Sequence, residues 1–109
     1  MKHIAITALA TLLVSSCAKR PDAIVPVDIP MAVYTGMSCK DLVAEATKEN
    51  ATLAALSKAQ NDAADADAVG VFLIGAPLGS VSGGDKEGQV AVSKGKLQAI
   101  ENTSKSKGC

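Results

Sequence analysis

No tryptophan occurs among the 109 residues, and the aromatic set is Tyr34 and Phe72 alone. Stacking platforms for nucleobases or sugars are therefore missing. Neither sign of charge is in excess, with 11 Lys+Arg against 11 Asp+Glu. Nucleic-acid binding, which needs a basic surface to displace counterions, is not an expected function. The single histidine is His3, at the extreme N-terminus. Without it, Ser–His and Cys–His nucleophilic pairs and histidine-containing metal sites have no partner residue. The expectation is a protein that is not an enzyme, with no cofactor and no metal.

Apolar content is present, but much of it is alanine, concentrated in Ala44–Ala68. Alanine favours helix strongly and buries little area, so a core built from it is thin. A chain of this length holds one small domain at most. A thin core in a small domain calls for a staple, an oligomer or a membrane.

The N-terminus supplies the compartment. Met1-Lys2-His3 is a short basic start, and Ile4–Val14 is an apolar run of 11 residues. The run is too short to span a bilayer and fits the centre of a secretory signal. It closes on Leu13-Val14-Ser15-Ser16-Cys17, which resembles a bacterial lipobox. There, small residues precede a cysteine whose thiol accepts a diacylglycerol before cleavage. Residues 1–16 then form a signal peptide, and the mature chain begins at lipidated Cys17 with a stable multi-chain anchor. An ordinary signal with a chance cysteine, or an uncleaved anchor, is the alternative. Ala18 is not the Asp that retains lipoproteins in the inner membrane. The expected location is thus the cell envelope, facing the periplasm, with the outer membrane favoured. Cleavage removes Lys2 and His3, leaving 10 Lys+Arg against 11 Asp+Glu and no histidine.

Besides Cys17 there are two cysteines, Cys39 and Cys109. Export into an oxidising space favours a disulfide between them. Two free thiols, or intermolecular bridges through Cys109, are the competing readings.

Residues 17–37 comprise the lipidated cysteine and a tether. Pro21, Pro26 and Pro30 alternate with Ile24, Val25, Val27, Ile29 and Val33. Proline removes backbone donors and extends the residue before it, which fits a stiff spacer. The apolar side chains fit equally well a segment that docks on the helices or forms an edge strand.

Ser38, three residues before Asp41, carries the signature of a helix N-cap. Leu42, Ala46, Glu49, Leu53, Leu56, Gln60 and Ala63 recur at steps of four and three. That is the seam of a helix packed on a nearly antiparallel partner, made shallow by Glu49 and Gln60. Asp62, Asp65 and Asp67 lack the loop glycine and terminal Glu of a calcium loop and read as a solvated helix end. A second arm begins near Asp85 as cap, with Val90, Leu97 and Ile100 as its apolar positions and Lys105 and Lys107 near its C-terminus. Gly88 and Gly95 each cost it about 1 kcal/mol. The fold class expected is all-α: a two-helix antiparallel hairpin over 38–109, with arms 38–74 and 85–109 around a bend at 75–84. The midpoint of the two cysteines falls at Ile74, which places a Cys39–Cys109 bridge at the open end.

The middle, Val69–Gly84, carries no charge, five of the nine glycines and the only Phe. Gly75, Gly79 and Gly83 are spaced by four, as in helices that approach closely in membranes. Pro77 interrupts any regular helix there, so a glycine-rich connection is favoured over a self-association face. The uncharged run Ala68–Gly84 is 17 residues, at the lower limit for a span, and a span would separate Cys39 from Cys109. Gly79–Lys86 is no phosphate loop, since Asp85 occupies the lysine position. The interaction candidates are Val71, Phe72, Leu73, Ile74, Gly75, Pro77, Leu78, Gly79 and Gly83.

The lipobox, Met37-Ser38-Cys39 followed by Leu42 and Glu45, the apolar middle, Gly84-Asp85-Lys86-Glu87, Lys94-Gly95-Lys96 and the terminal Cys109 together resemble a group of small proteobacterial lipoproteins. The resemblance covers most of the mature chain. It implies a two-helix architecture with paired cysteines and brings no catalytic residues. The middle here is richer in Gly and Ser than in that group, which argues against its insertion in a membrane. The function expected is a structural or interaction lipoprotein of the envelope. Its partners would be membrane lipid through acylated Cys17, and an envelope protein or a second copy through the apolar bend. The alternative is a lipid-anchored accessory or small ligand-binding module.

Overall fold

A computed structural model describes residues 17–109; the expected signal peptide, residues 1–16, lies outside the described residues. Helix α1, Cys39–Ile74, begins where the Ser38 hydroxyl accepts the Asp41 N–H at 3.1 Å. No glycine or proline interrupts it before Gly70. It stops at Gly75, whose φ of 74° returns its N–H to the Val71 carbonyl at 3.0 Å while Ala76 reaches Gly70. This left-handed glycine cap satisfies two of the last helical carbonyls. A four-residue helix α2, Leu78–Val81, follows inside the connection. Helix α3, Glu87–Lys107, starts beside the Asp85 carboxylate, which accepts the Glu87 N–H at 3.0 Å. It ends at left-handed Gly108 with Lys105 and Lys107 in its last turn. No strand forms among the described residues.

The two long helices pack against each other. Leu42 packs with Ala99 and Ile100, Glu49 meets Ser93, and Gln60 meets Asp85 and Lys86. The Cys39–Cys109 disulfide joins the two helices across a sequence separation of 70. The molecule is elongated, 61 × 29 × 16 Å.

Alanine-rich helices alone do not make this core. Residues 18–37 run along the pair as a strap, through short 3-10 turns at Pro21–Ala23 and Met31–Val33. The strap supplies Tyr34 to a cluster with Leu42, Ala99 and Ile100. It supplies Ile24 to a second cluster with Val90 and Ala91. Of the readings of this segment, as spacer, docked segment or edge strand, the structure has the docked one. Its backbone is tied down by the Val27 N–H on the Ala91 carbonyl at 3.0 Å and by Lys94, which donates to the Pro21 and Ile24 carbonyls. Gly95 lies where the strap crosses α3, and a Cβ there would collide with the Val27 carbonyl and crowd Ile29. A residue that reads as a local helix cost is thus the one that admits a third layer.

Tyr34 fixes the far end of the strap. Burial pushes its phenol above the ordinary value of 10.0, and the charges of Glu49 and Glu45 add to the shift. A folded value above the unfolded one stabilises the fold below the ordinary value and loses that contribution as pH rises through the folded one. With a single tyrosine in the chain, phenolate absorbance reports this group alone. Its midpoint is expected to fall to the ordinary value when the protein is unfolded in denaturant.

Candidate functional site

The end of the molecule opposite the disulfide carries an uncharged apolar cap. Here α1 runs out through Val69, Phe72, Leu73 and Ile74, and α2 adds Leu78 and Val81, all exposed. Phe72 is the extreme case at 88% exposure. The connection is held tightly even so. Gly79 packs against the backbone of Ala63, and Gly70 lies under Ala76 and Leu78.

One carboxylate organises this end. Asp67 is 1% exposed, which corrects the expectation that it is solvated beside Asp62 and Asp65. It accepts the Ala18 N–H at 2.6 Å, the Ser80 N–H at 2.7 Å and the Ser80 hydroxyl at 2.6 Å. Strap, α1 and α2 therefore meet at one side chain. Burial alone would raise its pKa. The hydrogen bonds from Ser80, Ala18 and Gly79 outweigh that and hold the carboxyl below the ordinary value of 3.8. The seam explains the position, because Asp67 lies one four-residue step beyond Ala63 and Gly70 one three-residue step further.

A depressed folded value stabilises the fold above the ordinary pKa and loses that contribution as pH falls through the folded one. Protection of the Ala18 and Ser80 amides from hydrogen exchange is therefore expected to survive mild acid and to drain away only below about pH 4. Asp67→Asn is expected to cost about 1–2 kcal/mol in a denaturant titration, since one buried donor loses its charged acceptor.

Neighbouring residues reinforce the strap's start. Gln60 donates to the Lys19 carbonyl at 2.8 Å and to Asp85 at 2.9 Å, and accepts the Lys86 N–H. Arg20 pairs with Asp65 at 2.6 Å and Lys19 with Glu87 at 3.1 Å. The remaining acid, Asp62, pairs with Lys58 at 2.9 Å. Exposed pairs of this kind contribute little each, but these sit as a charged collar directly behind the apolar cap. Among the described residues, no group of three metal-ligating side chains gathers.

The nine interaction candidates divide. Val71, Phe72, Leu73, Ile74 and Leu78 are exposed on the cap, and Pro77 leads into α2. The three spaced glycines do not share a helix face. Gly75 and Gly83 adopt left-handed backbone, with φ of 74° and 80°, and Gly79 is already occupied by Ala63. The spacing serves two turns and one internal contact.

Cys17, immediately before the Ala18 contact, is exposed and is the free cysteine of the described residues. The residues that bring it to the apolar cap, Asp67 and Ser80, carry no lipid or cysteine signature in the sequence. Continuing the seam past Ala63 is the signal that finds Asp67. Elsewhere, an open cleft of about 420 Å³ lies between the long helices, with Glu49, Leu56, Val92, Ser93 and Lys96 among its lining. Among the described residues, no helix is long and apolar enough to cross a membrane. Comparison with protein-family models, curated proteins and solved structures finds no match.

Proposed function

We propose that this chain is a bacterial envelope lipoprotein with a structural or interaction role rather than a catalytic one. In this reading residues 1–16 are removed, Cys17 carries the acyl anchor, and α1 and α3 act as the arms of one antiparallel hairpin facing the periplasm. The observation that carries the reading is the division of the cysteines. Cys39 and Cys109 are bonded to each other, while Cys17, at the end of the lipobox-like run, is free and exposed. A disulfide also agrees with an exported chain. Cells supplied with a traceable fatty acid are expected to label the protein, and Cys17→Ser is expected to abolish the label. Label that persists in Cys17→Ser, or is absent from the wild type, overturns the proposal.

The cleft between the helices favours one alternative, a lipid-anchored module that holds a small molecule. A compound that co-purifies with the native chain and is displaced by Val92→Trp, which fills the cleft from its rim, would support it.

A further inference from the structure

We infer that the apolar cap is a lipid-contact surface, seated in the same membrane leaflet that receives the acyl chains of Cys17. This rests on the lipoprotein reading above and adds an orientation to it: the molecule stands on its membrane cap-down, with the disulfide end outermost. Had residues 18–37 formed a free spacer, the cap could have faced anywhere. Docked, the strap fixes the anchor. The Ala18 N–H on Asp67 sets Cys17 beside the last two turns of α1, at the end away from Cys39 and Cys109.

Dimensions and charge agree with a lipid surface as the occupant. From Ala68 to Ile74 the helix rises about 9 Å at 1.5 Å per residue. Interfacial segments sink their apolar faces about 5–10 Å into the boundary between headgroups and acyl chains. No charge occurs between Ala68 and Gly84. The collar of Arg20–Asp65 and Lys19–Glu87 begins directly behind that depth, where headgroups and water would meet it. Cys17 lies at the level of the collar, so its acyl chains would enter the leaflet beside the cap. The cap does not span, because about 20 apolar residues are needed to cross. Shallow seating also answers the objection from glycine content: Gly75 closes the end of α1 by returning N–H groups to its carbonyls, so fewer open backbone groups face lipid.

The test uses the full chain, expressed in a bacterium that processes it and reconstituted in phospholipid vesicles with brominated acyl chains. The sequence has no tryptophan, so Phe72→Trp and, near the disulfide, Lys40→Trp each place one fluorophore on an exposed position. Bromolipid is expected to quench Phe72→Trp strongly and to leave Lys40→Trp as bright as in unbrominated vesicles. Equal quenching of both, quenching of Lys40→Trp alone, or quenching of neither overturns the orientation. The mass of the Cys17 peptide from the same sample separates the two proposals. An acylated chain with the wrong quenching pattern removes the seating and keeps the anchor. An unacylated chain removes the anchor, and the seating with it.

Discussion

Cys109→Ser is expected to lower the unfolding free energy by about 4 kcal/mol, the entropy of closing so long a loop in the unfolded chain. The bridged residues are 70 apart, and few large side chains offset the loss. The two buried clusters contain Leu42, Ile100, Tyr34, Ile24 and Val90, with alanines making up the rest. For a domain of this size a change of that magnitude moves the melting temperature by about 15–30 °C. Reducing the wild type should reproduce the shift, and Cys39→Ser with Cys109→Ser together should cost no more than either alone. The effect is centred at one end, because the last turn of α3 beyond Thr103 has the disulfide and the Lys107 contact to the Thr35 carbonyl as its ties. A melting temperature that does not respond to reductant would mean the helices hold together without the bridge.

The second large effect comes from Gly95→Val. Its Cβ has no room against the Val27 carbonyl, which is backbone and yields only if the strap moves. Overpacking costs about 1–3 kcal/mol, and release of the strap exposes Ile24, worth about 2 kcal/mol more. A total of about 3 kcal/mol or above is therefore expected in chemical denaturation. Helical content should stay nearly unchanged while Ile24 and Lys94 lose their contacts. Gly88, in the first turn of α3 with open space where a Cβ would go, is the control: Gly88→Ala is expected to be neutral or stabilising, since alanine favours helix over glycine. Equal effects at Gly88 and Gly95 would contradict a role for the strap.

The helices were legible because their signals are local and periodic. Ser38, the steps of four and three from Leu42 to Ala63, and the position of Gly108 each act over a few residues. The seam runs on through Glu49 and Gln60, which the pattern alone reads as weaknesses. In the structure Glu49 takes the Ser93 hydroxyl at 2.7 Å, and Gln60 joins α1 to the strap and to the turn that leads into α3. Those polar groups are buried with partners, which is the condition for tolerating them. The strap is legible only as a choice among spacer, docked segment and edge strand. Prolines among apolar residues describe an extended chain, and nothing local says what surface it lies on. Asp67 departs from its sequence reading because an Ala-Asp alternation at a helix end looks solvated. Its partners, Ala18 and Ser80, are far away in sequence, and only tertiary contact reveals them. The glycines were ambiguous for a different reason: spacing does not encode φ, and two of the three are needed for left-handed turns.

The placement of Cys17 at the apolar end is the claim on which the rest depends, and one label tests it. In the chain from Cys17 onward, made without acylation and with Cys39 bonded to Cys109, Cys17 is the single thiol and a nitroxide can occupy it. Backbone amides around Asp67–Gly84 are predicted to broaden in the NMR spectrum. Those around Lys40 and Thr103, about 40 Å away at the helical rise, are predicted to stay sharp. Uniform broadening, or none in residues 67–84, would show a free spacer and contradict the docked strap.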